Sequence, residues 1–113
     1  MDCLFCKILK GEIPSAKVYE NEWVYAFRDI APQTPQHIVV VPKHHVTGMN
    51  GIEGLTDAQL AACLRACREV AKITGVDKTG YRVITNCGED ACQSVKHLHF
   101  HVLGGKKMSE SMA

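Results

Sequence analysis

Near the end of this chain the run Lys96-His97-Leu98-His99-Phe100-His101-Val102-Leu103 alternates imidazoles with apolar side chains. Successive side chains of a β-strand point to opposite faces, so residues two apart share a face. A strand over residues 97–102 therefore sets His97, His99 and His101 in a row on one face and sends Leu98, Phe100 and Val102 into a core. A helix would scatter both sets. Half of the chain's six histidines lie in this run. β-propensity favours branched and aromatic residues, so it does not account for three histidines in register. Imidazole can act as nucleophile, proton carrier or metal ligand near neutral pH. The run therefore fixes a strand and carries the chemistry.

The remaining pattern fits around that strand. A short helix is expected over residues 3–9, capped by Asp2 and stopped by Gly11 with Pro14 beyond. Residues 17–19 read as a strand and 20–22 as a tight connection. Residues 23–28 return as a second strand, with Trp23, Tyr25 and Phe27 on one face. Pro32 and Pro35 make residues 29–36 a loop. His37-Ile38-Val39-Val40-Val41 reads as a central strand ended by Pro42. Residues 43–55 hold His44, His45 and three glycines in a connection. Thr56 and Gln59 have the spacing of a capping box. Leu60, Cys63, Leu64, Cys67, Val70 and Ala71 then recur at helical spacing as far as Gly75, a natural C-terminal stop. Residues 81–85 form a further strand, 86–95 a polar loop, and 106–113 a short, loosely held tail. The sum is an α+β domain: about five strands in a mainly antiparallel sheet, one long helix and one short.

At 113 residues the chain suits one domain, 1–113, with a real core. The formal net charge of +1 arises from intermingled signs, which gives no nucleic-acid-binding face. Lysines interrupt the apolar residues of the N-terminus, so no secretory signal or bilayer-spanning stretch is read. The expectation is a cytoplasmic protein, also nuclear in a eukaryote. No glycine-rich nucleotide loop is present. Of the six cysteines, Cys63 and Cys67 fit the apolar face of the long helix as small buried hydrophobes. Cys87 and Cys92 flank a loop and are either reactive or incidental. Cys3-x-x-Cys6 has a spacing suited to tetrahedral zinc, but also to a redox pair, and is weak without a second pair.

Two chemistries suit the histidine row. A neutral imidazole can attack phosphorus or an acyl carbon, giving a covalent intermediate that water cleaves. Alternatively, His-x-His on a strand can chelate a metal. No carboxylate lies in or beside the row, which favours the nucleophile.

His97-Leu98-His99-Phe100-His101-Val102-Leu103 matches the histidine triad motif, His-φ-His-φ-His-φ-φ with φ apolar. Gly11-Glu12-Ile13-Pro14, Phe27-Arg28-Asp29-Ile30-Ala31-Pro32-Gln33, residues 37–43, Gln93-Ser94-Val95 and Leu103-Gly104-Gly105 also fit. The chain resembles the histidine triad (HIT) superfamily, and within it the Hint branch of nucleotide-binding proteins. The resemblance implies a homodimer with sheets joined across the boundary, binding purine nucleotides such as AMP and GMP. It implies hydrolysis of nucleoside 5′-phosphoramidates, and of acyl-adenylates, with no metal in the reaction. His99 would be the nucleophile, and His101 and Ser94 would contact phosphate or leaving group, with Gln93 and Asn86 nearby. His37 and His97 would support the catalytic group, and Asp29 and Ile30 would hold the ribose side. A subset of such proteins begins with Cys-x-x-Cys and completes a structural zinc site with two histidines. The matching positions are Cys3, Cys6, His45 and His97, with His44 adjacent to His45. Two departures stand out. Ala91-Cys92 replaces a common Gly-Gly, and the tail lacks the family's tryptophan. Readings of another kind are a nucleotide-binding scaffold with incidental hydrolysis, or a dinucleoside polyphosphate hydrolase.

Overall fold

The computed structural model describes residues 3–113. Five strands form one antiparallel sheet: β1 (Lys17–Glu20), β2 (Val24–Arg28), β3 (Gln36–Pro42), β4 (Tyr81–Ile84) and β5 (Phe100–Gly104). Their spatial order is β1-β2-β3-β5-β4, so β3 and β5 are interior and β1 and β4 are edges. A short helix, α1 (Leu4–Leu9), precedes the sheet, and α2 (Asp57–Thr74) lies between β3 and β4. Two 3-10 turns, Met49–Gly54 and Val76–Lys78, flank α2. Among the described residues, no helix is long and apolar enough to cross a membrane.

The long helix starts and stops where its sequence says. Thr56 Oγ1 accepts the Gln59 N–H at 3.0 Å, and Gln59 Oε1 accepts the Thr56 N–H at 2.8 Å, so the capping box is complete. Gly75 ends the helix at φ 81, a left-handed conformation that L side chains resist. The buried stripe is Ala62, Cys63, Ala66, Cys67, Val70 and Ala71, packed on Val24, Ala26, Ile38, Val40, Leu98, Phe100 and Val102. Leu64, expected in that stripe, is instead 56% exposed, and Ala62 and Ala66 take up the packing. Burial raises the Cys63 thiol to about 11 and Cys67 to about 12, which keeps both as inert packing groups.

The opposite sheet face carries a smaller cluster. Cys3 and Phe5 pack on Phe27, Val39 and Val41, with Ile8 and Tyr25 at the margin. Both faces of β2 are thus covered: Val24 and Ala26 enter the α2 side, and Phe27 the α1 side. Trp23 precedes the strand and is exposed, so the expected Trp23–Tyr25–Phe27 face is only partly realised. The cap expected at Asp2 lies outside the described residues, and the residue capping α1 is Cys3, whose Sγ accepts the Cys6 N–H.

The histidine strand begins later than its alternation implies. β5 starts at Phe100, leaving His97 and His99 just before it. The register pairs Val40 with Phe100, so two residues further Pro42 would face Leu98. Proline has no N–H to give a ladder. Leu98 N–H turns instead to the Val46 carbonyl at 2.8 Å. Alternation survives the change, because Leu98, Phe100 and Val102 are all buried in the α2-side core. The tail is also more fixed than expected. The Arg82 guanidinium donates to the carbonyls of Ser109 and Ser111.

Candidate active site and metal centre

Just ahead of β5 the chain bends at His97, so the three histidines do not form one straight row. His97 turns toward α1 and the 43–55 connection. His99 and His101 stay together, with ring centroids 5.0 Å apart. One run therefore serves two neighbouring clusters.

The first is built around His99. Its Nδ1 lies 2.7 Å from the His97 carbonyl oxygen. A carbonyl can only accept, so Nδ1 carries the proton and Nε2 keeps its lone pair. Burial holds His99 below the ordinary histidine range, opposed by the His97 hydrogen bond and the Asp29 charge. The ring is thus a neutral imidazole with a free nitrogen, the form a nucleophile needs. The Phe5 ring stands edge-on to it, centroids 4.9 Å apart.

Beside it runs a hydrogen-bond relay. Gln33 N–H donates to His37 Nδ1 at 3.0 Å, which places the proton of neutral His37 on Nε2. That nitrogen is 2.8 Å from His101 Nδ1, so His37 donates and His101 accepts. His101 then carries its own proton on Nε2. Burial lowers His37 against the opposing charge of Asp29, whose Oδ2 is 3.4 Å from Nε2. Burial, with His99 and His37 adding to it, brings His101 down to about 4. Asp29, His37 and His101 have the residue types of a metal site and lie close together. The Gln33 N–H argues otherwise, because it turns a proton of His37, not a lone pair, toward the other two. The group is wired as a relay.

Two cavities share Asp29, Ser94 and His101 in their walls. One, of about 260 Å³, has Phe5, Ile8, Phe27, Ile30 and Val39 as its apolar lining and reaches His99. The other, of about 490 Å³, is bounded by His37, Asn86, Cys92 and Met112 among others. Asp29, Ile30, Asn86 and Ser94, expected from the sequence at a nucleotide, thus come together around His99 and His101. Gln93 does not line either cavity. Its side chain takes the Gly88 N–H and donates to the Thr47 and Val95 carbonyls, bracing the loop that presents Ser94. His37 supports His101 rather than His99. His97 meets His99 through its backbone carbonyl. A larger hollow of about 670 Å³, between Trp23 and Arg65 on the α2 side, contains none of these histidines.

The second cluster joins Cys3, Cys6, His45 and His97. Cys3 Sγ is 3.4 Å from His97 Nδ1, and Cys6 Sγ is 3.4 Å from His45 Nδ1 and 3.6 Å from His97 Nδ1. The two Nδ1 atoms are 3.0 Å apart. Tetrahedral zinc with bonds of about 2.3 Å to sulfur and about 2.0 Å to nitrogen needs edges of about 3.5 Å for S···N and about 3.3 Å for N···N. The donor set fits. His97 Nε2 donates to the Pro42 carbonyl at 2.9 Å, which frees Nδ1 as a ligand and fixes the ring. Burial raises the Cys6 thiol, and the neighbouring Cys3 raises it further, as expected of two sulfurs brought together before a cation neutralises them. The exposed His44 lies outside the cluster.

Several contributors were given no role in the site by the sequence. Phe5, Phe27 and Val39 wall a cavity, and the Gln33 N–H and Pro42 carbonyl act through backbone atoms alone. Cys92 adopts φ 58, the left-handed region where glycine is favoured, and this accounts for a glycine at the second place of the common Gly-Gly.

An antiparallel sheet presenting a buried, neutral histidine at the mouth of an apolar cavity has the arrangement that nucleophilic hydrolysis requires. The chain belongs to the HIT domain family, which it matches over residues 10–108. It is 35% identical over 112 residues to a purine nucleoside phosphoramidase of Escherichia coli, covering 99% of this chain and 94% of that protein. A 14 kDa zinc-binding protein of Zea mays is 46% identical over 112 residues, covering 94% of this chain and 84% of that one. Among solved structures, a HIT family hydrolase from Clostridium thermocellum superposes with a TM-score of 0.95 at 42% identity, covering 99% of this chain and 97% of the other.

Proposed function

We propose that the protein hydrolyses purine nucleoside 5′-phosphoramidates, and acyl-adenylates by the same route, through a nucleotidyl-histidine intermediate. The observation that carries this is the 2.7 Å hydrogen bond from His99 Nδ1 to the His97 carbonyl, which leaves Nε2 as an unprotonated nucleophile. The base and ribose occupy the apolar cavity beside Asp29 and Ile30, and the α-phosphate reaches Ser94, His99 and His101. His99 Nε2 attacks phosphorus. As the P–N bond breaks, the His101 Nε2–H supplies the proton that lets the amine leave neutral. Water then attacks the His99-bound phosphorus and passes a proton to the His101 Nε2 left bare in the first step, which releases the nucleoside monophosphate and restores both imidazoles. The phosphoramidase relative supports this substrate class.

Zinc at Cys3, Cys6, His45 and His97 would be structural, supplying a closed tetrahedral centre that ties α1 to the sheet. The maize relative and the donor geometry support that reading. The open edge of β4, with Tyr81 and Val83 exposed, supports a homodimer joined through that strand.

The decisive experiment mixes enzyme with an adenosine 5′-phosphoramidate, quenches early in alkaline denaturant and weighs the intact chain. A transient adduct of AMP mass is expected on wild type and not on His99→Ala. Turnover should fall on the order of 10⁴-fold or more in the variant. A wild-type protein without turnover, or a His99→Ala variant that keeps it, would overturn the proposal.

A further inference from the structure

The metal cluster and the nucleophile are joined by two separate connections. The first is His97 itself. Its Nδ1 belongs to the Cys3–Cys6–His45 cluster, while its carbonyl oxygen receives the His99 Nδ1 proton. Any rotation of the His97 peptide when the ring loses its partners moves the group that sets the His99 tautomer. The second is Phe5, which lies on α1 between the two cysteines. Its ring stands edge-on to His97 at 6.0 Å and to His99 at 4.9 Å, with interplanar angles of 73° and 80°. The same helix places Leu4, Phe5 and Ile8 in the wall of the cavity that reaches His99. Helix α1 is only six residues long, too short to hold itself as a helix in water. Its anchorage comes from the Phe5 cluster and from the two thiols.

We propose that occupancy of the Cys3–Cys6–His45–His97 site by zinc positions the His99 nucleophile and the α1 wall of the nucleotide cavity. Phe5 and the His97 carbonyl transmit the effect. The inference rests on the zinc and nucleophile assignments proposed above. It makes the metal site a control point for the active site rather than a remote staple. With the sulfurs and imidazoles drawn together, α1 lies on the sheet, Phe5 meets His99, and Nε2 points into the cavity. With the ligands free, two thiols and two imidazoles lose the reason to converge. The His97 peptide and α1 then relax together. Phe5 is a positioning residue in this scheme, acting on the orientation of His99.

The test compares zinc-loaded and chelator-stripped protein carrying ¹⁵N-labelled histidine. Long-range ¹H–¹⁵N spectra report the His99 tautomer, calorimetry reports AMP affinity, and circular dichroism reports the fold. Stripping is expected to move the His99 nitrogen signals and weaken AMP binding about tenfold, with readdition of zinc reversing both. Zinc-loaded Phe5→Leu, which keeps all four ligands, should bind one zinc and still show moved His99 signals and a reduced kcat. His99 signals that stay in place in folded, stripped protein, or in zinc-loaded Phe5→Leu, would overturn the proposal. If stripping unfolds the chain, the zinc-loaded Phe5→Leu spectrum decides by the same criterion. The spectra are read without turnover, so failure of the coupling is distinguishable from failure of the hydrolase assignment.

Discussion

Zinc should set the thermal stability of this chain with a slope that can be worked out beforehand. The four donors come from residues separated by 39, 91 and 94 positions, so only the folded chain assembles them. A ligand confined to the folded state stabilises it by RT ln(1 + [L]/Kd), about 1.4 kcal/mol for each tenfold rise above Kd and about 4.1 kcal/mol at a thousandfold excess. Unfolding entropy near 60 °C is about 2.1 cal/mol/K per residue, or about 0.24 kcal/mol/K for a chain of 113 residues. The melting temperature should therefore climb about 6 °C per decade of free zinc, reaching about 17 °C at a thousandfold excess over Kd. The assay is differential scanning calorimetry across a metal-buffered zinc series. Cys6→Ser should abolish most of the climb. His45→Ala, which removes a half-buried ligand, should displace the curve to higher zinc and leave the slope intact. A melting temperature indifferent to zinc would refute the four-ligand site. A slope twice as steep would mean two ions per chain, and would refute the reading of Asp29, His37 and His101 as a relay.

Other consequences follow from local geometry. Turnover should fall as pH drops toward 4, because protonating His101, whose pKa is about 4, sets two N–H groups against each other across the 2.8 Å contact with His37; a pH–rate profile from 3.5 to 8 checks it. His101 is also neutral in the fold below its unfolded pKa of about 6.5, so the unfolded state binds more protons between about pH 4 and 6.5. Stability should accordingly be full above that window and decline as pH falls through it, measured by urea titration of zinc-loaded protein. Thr56→Ala removes the cap acceptor for Gln59 N–H and should cost about 1 kcal/mol in urea unfolding. Gly104→Ala should cost about 1–3 kcal/mol, because the new methyl would lie 2.7 Å from Val76 Cβ and Cγ1, and an unchanged denaturation midpoint would contradict that contact. Cys92→Gly should gain stability of up to about 1 kcal/mol by relieving φ 58, while Cys92→Val should lose it.

Elements bounded by local chemistry were legible in the sequence. The Thr56 capping box, the Gly75 stop and the branched run of β3 each contain their own instruction within a few residues, and each forms where it is read. What could not be read depends on register. Alternation from His97 to Val102 is a correct statement about which side chains enter the core, yet it says nothing of where the ladder begins. That is fixed by Pro42, which the β3–β5 register would place opposite Leu98 and which has no N–H to offer. The missing hydrogen bond frees the chain to bend at His97. Its ring then meets the thiols and the Pro42 carbonyl, while its own carbonyl turns to His99. A strand continued through His97 would have committed that carbonyl to one side of a ladder and held its ring in line with His99 and His101. The proline that shortens the strand thereby divides one row of histidines between two sites, and leaves a single residue, His97, belonging to both.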